Sequence, residues 1–261
     1  MTARDPIDFS GRVALVTGGS RGVGRGIAER FLEAGADVFI CGRNEPEKLP
    51  EVGGRSAVFH AADVRDPQQV DALVGSITDR LGRLDVLVNN AGGAPAADAA
   101  TASPRFSEAI IRLNLLAPLH CAQRANAAMQ AQEEGGSIVN IASVSGVRAS
   151  PGTAAYGAAK AGLLSLTQTL AVEWAPKVRV NAVTAGMIET ELSHLHYGDA
   201  EGLAAVAATV PLGRMGQPRD VGDVCLFLAS SLAGYVSGAN VLMHGGGEKP
   251  AFLGAAKPTA D

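Results

Sequence analysis

The chain has 261 residues, of which 47% are hydrophobic and 18% charged, and its formal net charge is −4. That supplies enough apolar material for one buried sheet flanked by helices, and the lack of a long basic run excludes nucleic acid as an expected partner. Cys41, Cys121 and Cys225 lie far apart and form no C-x-x-C pair, which argues against a disulfide framework or zinc site; no metal is expected.

Residues 12–17 (RVALVT) read as a buried strand, and residues 22–34 as a helix closed by Gly35. Strands follow over 37–41 (DVFIC) and 56–60 (SAVFH). Residues 67–81 carry Val70, Leu73, Val74 and Ile77 at helical spacing. Further strands are predicted over 84–88, 137–141, 178–183 and 240–243, with a long apolar helix over 154–174. The strands are short, apolar and not cleanly alternating, as strands covered on both faces should be. Alternation of strand and helix implies an α/β fold, a doubly wound parallel sheet with helices on both faces. No repeat or linker interrupts it, so residues 1–261 read as one domain, with irregular termini over 1–8 and 248–261. The Ala-rich stretch 92–103 reads as a loop beside a site, and 189–210 as a substrate lid. Residues 1–10 carry Arg4, Asp5 and Asp8 without an apolar core, so they do not read as a signal peptide. No apolar run reaches the roughly 18 residues of a membrane span. A cytoplasmic protein is expected.

The first strand runs into Thr17-Gly18-Gly19-Ser20-Arg21-Gly22-Val23-Gly24, and a helix follows. Glycines let phosphate approach the main chain, and the helix start offers free N–H groups and a positive dipole end. Such a turn alone is equally compatible with an ordinary tight turn; its place after the first strand of a β/α chain weights it toward a nucleotide.

The segment resembles the cofactor loop of the short-chain dehydrogenase/reductase family. Asp63-Val64, Asn89-Asn90-Ala91-Gly92, Pro211-Leu212-Gly213-Arg214, Phe227-Leu228-Ala229-Ser230 and Gly245-Gly246 resemble its later motifs, so the likeness spans residues 9–247. The resemblance implies a Rossmann-type fold and a nicotinamide dinucleotide held by Gly18, Ser20, Arg21, Gly22, Val23 and Gly24. It adds Asp63 and Val64 at the adenine, Asn90, Ala91 and Gly92 beyond the fourth strand, and Gly186, Ile188 and Thr190 near the carboxamide. Where NAD-using relatives carry Asp after the second strand, this chain has Gly42, followed by Arg43. With Arg21, that favours NADP(H), because guanidinium groups suit a 2′-phosphate; NAD(H) stays open, since either arginine is also readable as a solvated surface charge.

Tyr156 and Lys160 lie four apart, on one helical face. A free tyrosine titrates near pH 10, and a neighbouring ammonium is expected to lower that. Any helix holds such a pair by chance; here it has company. The resemblance implies a tetrad of Asn114, Ser143, Tyr156 and Lys160. Ser143 donates to a substrate oxygen, Tyr156 exchanges a proton with it, Lys160 also bonds the nicotinamide ribose, and Asn114 holds a water on a proton path. The bland reading of Asn114 is a helix-interior amide satisfying backbone.

Two departures stand out. Ala185-Gly186 replaces the family's Pro-Gly, which is expected to loosen that turn, and His244 replaces an Asp, a change expected to affect packing. His194, His196 and Tyr197 fall in the lid. The implied activity is hydride transfer between NADP(H) and a ketone or secondary alcohol, such as an oxoacyl thioester, steroid, polyol or xenobiotic ketone. The alternative is a dinucleotide sensor without turnover. The resemblance also implies a homotetramer using helices around 104–133 and 154–175. Phe252 and Leu253 suggest that the tail packs over its own cleft or a neighbour.

Overall fold

A computed structural model of the chain describes residues 6–256. In chain order the elements are β1 (Val13–Thr17), α1 (Gly22–Glu33), β2 (Asp37–Gly42), a two-residue hairpin of β3 (Glu51–Val52) and β4 (Arg55–Ser56), β5 (Val58–Ala61) and α2 (Pro67–Leu81). β6 (Val86–Asn89), α3 (Pro104–Ile111), a π-helical turn (Arg112–Leu116), α4 (Ala117–Ala131), β7 (Gly136–Ser143), α5 (Ala154–Glu173) and β8 (Val178–Ala185) follow. The chain then forms α6 (His194–Tyr197), α7 (Ala200–Thr209), α8 (Pro218–Ala229), β9 (Asn240–Met243) and α9 (Ala251–Ala255).

Seven strands form one parallel sheet in the order β5-β2-β1-β6-β7-β8-β9. Every residue of β1 is buried, and its side chains divide between two cores. Val13 and Leu15 join Leu73 and Ile77 of α2, Cys121 and Met129 of α4 and Leu170 of α5 on one face. Ala14 and Val16 join Ile27 and Phe31 of α1 and Val221, Cys225 and Leu226 of α8 on the other. An alternating pattern would have left one face wet; the continuous apolar run forces helices onto both. The order reverses between β1 and β6, and in open α/β sheets a crevice forms at the carboxyl ends of the strands there.

Local chemistry sets the ends. Asp66 accepts from the Gln68 N–H and caps α2, Pro67 opens it, and Gly82 closes it at φ +72°. Two expectations need correction. The strand expected over 56–60 begins at Val58, because Gly53 and Gly54, both at positive φ, turn the preceding residues into a hairpin that takes Ser56. Residues 189–210 carry two helical pieces, α6 and α7. The tail is not irregular throughout: Pro250 starts a short helix that Phe252 and Leu253 join, both exposed. The expectations for residues 1–5 and 257–261 lie outside the described residues. Among the described residues no helix is long and apolar enough to cross a membrane.

Candidate active site

The carboxyl ends of β1, β6 and β7 meet the starts of α1 and α5, and the predicted residues gather there. The glycine turn is clamped to the Asn-Asn-Ala-Gly turn. Thr17 Oγ1 accepts from the backbone N–H of Asn90 and of Ala91, each at 3.0 Å, while Asn90 Nδ2 donates to the carbonyls of Thr17 (2.9 Å) and Gly18 (3.2 Å). Thr17 was not anticipated as a site residue; a buried hydroxyl ending an otherwise apolar strand was the available signal. Gly18 adopts φ +64°, where a side chain is strained. A Cβ on Gly24 would stand 2.3 Å from the Gly18 carbonyl oxygen and 2.4 Å from Asn90 Nδ2.

The helix start already holds an anion. Glu191, shortly before α6, accepts from the Gly22 N–H at 3.0 Å, and the Thr190 methyl lies 3.5 Å from where a Gly22 Cβ would be. Arg21 occupies the N-cap in extended conformation without a side-chain cap. A carboxylate drawn from a distant segment onto this N–H is the chain's own measure of the turn's affinity for anions, so the turn fits a dinucleotide pyrophosphate. Ser20 is partly exposed beside it. The Val23 side chain packs against the core, leaving its backbone to face the turn.

Arg43 follows Gly42 at the end of β2, exposed, as is Arg21; neither side chain has an ion pair or hydrogen bond among the described residues. The adjoining β5 delivers Asp63, whose carboxyl is held below the usual range, chiefly by hydrogen bonds from Arg65 and more weakly by the Arg43 charge. Arg65 grips both carboxylate oxygens of Asp63. Val64 is buried in the core.

The four expected catalytic residues stand close to one another. Ser143 ends β7 and its hydroxyl stands close enough to Tyr156, near the start of α5, to act on the phenol; the Ser145 N–H donates to Ser143 Oγ at 3.2 Å. Lys160, one turn on, is buried, and its Nζ donates to the Ile141 carbonyl at 2.8 Å and lies 5.6 Å from the Tyr156 ring centre. Asn114 is fully buried in the π-helical turn. Its Nδ2 donates to the carbonyls of Gly93 and Ile110, each at 3.0 Å, and its Oδ1 accepts from the Gly93 N–H at 2.8 Å. Pro118 has no N–H to offer in α-helical register, and the Asn114 amide serves the Ile110 carbonyl in the widened turn. Gly92 closes the group: a Cβ there would meet Asn114 Oδ1 at 2.7 Å and Lys160 Nζ at 3.4 Å.

The electrostatics differ from the sequence expectation. Burial pushes the Tyr156 phenol above its ordinary value and the Ser143 hydroxyl offsets this only in part. The expected lowering by Lys160 is absent because the amine faces the ring and its hydrogen bond goes to Ile141. Burial brings Lys160 itself down to about 8.

Beyond β8 the chain is held rather than loosened. Ala185 pairs in register with Ser143 and Met243, the Gly186 N–H donates to the Met243 carbonyl at 2.8 Å, and Ile188 bridges Gly216. A Cβ on Gly186 would stand 2.7 Å from His244 Cβ, so His244 packs against the turn. His194 bonds the Glu191 carbonyl at the start of α6. Arg148, beyond β7, pairs with Glu248, and the Lys249 N–H donates to the Thr209 carbonyl, so the start of the tail lies against the end of α7. Neither Arg148 nor Glu248 was anticipated. Beside Tyr156 opens a cavity of about 80 Å³, walled by Ala94, Pro95, Ala97, Phe106, Ile110 and Ala155 among others, with no charged residue in its lining.

A family model described as enoyl-(acyl carrier protein) reductase matches residues 18–248. The 3-oxoacyl-(acyl-carrier-protein) reductase FabG of Vibrio harveyi is 36% identical over 245 residues, covering 92% of this chain and 98% of that protein. The 3alpha-hydroxysteroid dehydrogenase of Mediterraneibacter gnavus is 33% identical over 242 residues, covering 90% and 96%. A crystal structure of a short-chain type dehydrogenase/reductase from Mycobacterium marinum superposes with a TM-score of 0.85 at 34% identity, covering 94% of this chain and 99% of that one.

Proposed function

Because the chain belongs to the short-chain dehydrogenase/reductase family of oxidoreductases, we propose that it interconverts a ketone and a secondary alcohol with NADP(H), using Tyr156 as the proton-exchanging group. The observation that carries this reading is the meeting of Ser143, Tyr156 and Lys160 between the glycine turn and an uncharged cavity. When bound, the nicotinamide supplies or accepts the hydride; the residues described here do the rest.

Gly18, Gly22 and Gly24 give the pyrophosphate close access to the turn, with Glu191 withdrawing from the Gly22 N–H. Asn90, Ala91 and Gly92 stand on the same side. Gly186, Ile188 and Thr190 frame the carboxamide end, and Lys160 bonds the adjacent ribose. Arg21 and Arg43, neither with a side-chain partner among the described residues, suit a 2′-phosphate. A phenol raised by burial is protonated at neutral pH, the state that donates to a ketone oxygen. The Ser143 hydroxyl holds that oxygen beside Tyr156. Lys160, titrating at about 8, is poised to return a proton, and Asn114 fixes Gly93 and the turn behind it. The cavity favours a substrate with an uncharged apolar group beside the carbonyl, as oxoacyl and steroid ketones have.

Leu116 and Val172 expose apolar surface near α4 and α5, which supports a homotetramer built on those helices. Direct titration with NADPH and NADH tests the cofactor reading, with Arg43→Asp in parallel. NADPH should bind more tightly, and the substitution should erase that preference. A native preference for NADH would overturn the reading of the two arginines.

A further inference from the structure

A site for a 2′-phosphate should not present a bare carboxylate, yet Asp63 stands at the same edge of the sheet as Arg43. The Ala62 N–H donates to the Gly42 carbonyl at 2.9 Å, which fixes the end of β5 against the end of β2 and brings Asp63 within electrostatic reach of Arg43. Arg65 answers that carboxylate. Its Nε lies 2.9 Å from Oδ1 and 3.1 Å from Oδ2, and its Nη2 lies 2.5 Å from Oδ2. We propose that Arg65 is a cofactor-specificity residue that neutralises Asp63, so that the site accepts a nucleotide bearing a ribose 2′-phosphate. This rests on the NADP(H) reading above.

The loop does not need the guanidinium to hold its shape. The Arg65 N–H donates to Asp63 Oδ1 at 3.0 Å, the Asp66 N–H to the Asp63 carbonyl at 2.9 Å, and the Asp63 N–H to Gln69 Oε1 at 2.8 Å. The backbone donors and Gln69 remain when the Arg65 side chain is changed. What the fork adds is charge: without it Asp63, which the resemblance sets at the adenine, leaves an uncompensated anion within reach of Arg43, where a 2′-phosphate would bind, whereas a ribose hydroxyl makes no such demand.

The test is fluorescence titration of the full chain with NADPH and NADH, for the unchanged protein, Arg65→Met, Asp63→Asn and the double variant. Arg65→Met should weaken NADPH about fivefold to tenfold, the size of one like-charge interaction in a solvated site, and leave NADH within about twofold. The double variant should restore NADPH binding. Asp63→Asn alone, which keeps Arg65 and frees its charge, should tighten NADPH, so the inference stays testable if Arg65→Met fails to fold. Equal weakening of both nucleotides, an unmoved ratio, no restoration in the double variant, or weaker NADPH binding by Asp63→Asn would each overturn the proposal. If the unchanged protein prefers NADPH while the ratio does not respond to Arg65, this inference alone fails. If the unchanged protein prefers NADH, the reading of Arg21 and Arg43 fails and takes the inference with it.

Discussion

Replacing Lys160 by methionine removes a buried amine whose side-chain hydrogen bond goes to the Ile141 carbonyl. In the folded chain this amine titrates at about 8 instead of 10.5, because burial penalises its charged form. Below pH 8 both folded and unfolded chains carry the proton, and the full cost of burying the charge is present. Between 8 and 10.5 the unfolded chain holds more protons than the folded one, so this group's contribution to stability rises with pH. The gap between 10.5 and 8, at about 1.4 kcal/mol per unit, amounts to about 3 kcal/mol. Methionine escapes that cost but strands the Ile141 carbonyl, which takes back about 1–3 kcal/mol. At pH 7 Lys160→Met should therefore be equal to the unchanged protein or more stable by up to about 2 kcal/mol. From pH 8 to 9.5 the difference should move toward the unchanged protein by about 1 kcal/mol per pH unit. Urea unfolding at fixed protomer concentration measures it. Burial lifts Cys41 to about 12 and raises Cys121 and Cys225 as well, so stability from the thiols falls as pH rises through their unfolded range near 9. Both proteins share that trend, and it cancels in the difference. A difference that stays flat from pH 7 to 9.5 would refute the assignment of a strained, buried amine.

Gly24→Ala places a Cβ 2.3 Å from the Gly18 carbonyl oxygen; titration should show at least tenfold weaker NADPH binding, and urea unfolding a loss of about 1–3 kcal/mol. Unchanged binding would remove the cradle from the account. Asn114→Ala strands the Gly93 and Ile110 groups that its amide serves; a loss of about 3 kcal/mol is expected, read as a melting temperature lower by roughly 5–10 °C. A shift under about 2 °C would mean that the π-helical turn does not depend on this amide. Glu191→Gln removes the carboxylate that accepts from the Gly22 N–H; NADPH should bind a few-fold more tightly, since a charge-assisted bond no longer has to be displaced. Weaker binding would show that Glu191 supports the cofactor rather than competing with it.

The sheet and its flanking helices were legible because burial on both faces writes itself into sequence as continuous apolar runs, as in β1 and β2. The glycine turn and the Tyr156–Lys160 spacing were legible because backbone approach and helical period restrict which residues serve. What stayed hidden depends on contacts between distant segments. The grip of Arg65 on Asp63 is local in sequence, yet its weight comes from the meeting of β2 and β5. Glu191 reaches Gly22 only after the chain has returned from β8, and the Arg148–Glu248 pair joins the β7 exit to the tail. The direction of the Tyr156 shift was missed because spacing places Lys160 on the same face but says nothing of where its amine points. The hairpin at 51–56 was missed because its strands are two residues each, too short to carry an apolar pattern of their own.

The central claim is that Tyr156 exchanges a proton with substrate while the dinucleotide site stands independently of it. Tyr156→Phe separates the two: NADPH affinity by fluorescence titration, and NADPH oxidation with 3-oxoacyl thioesters and ketosteroids that the unchanged protein reduces. The account predicts NADPH binding within about twofold of the unchanged protein, and a turnover rate lower by at least about a hundredfold, the scale of a lost general acid. Turnover surviving in Tyr156→Phe, with the cofactor still bound, would contradict it.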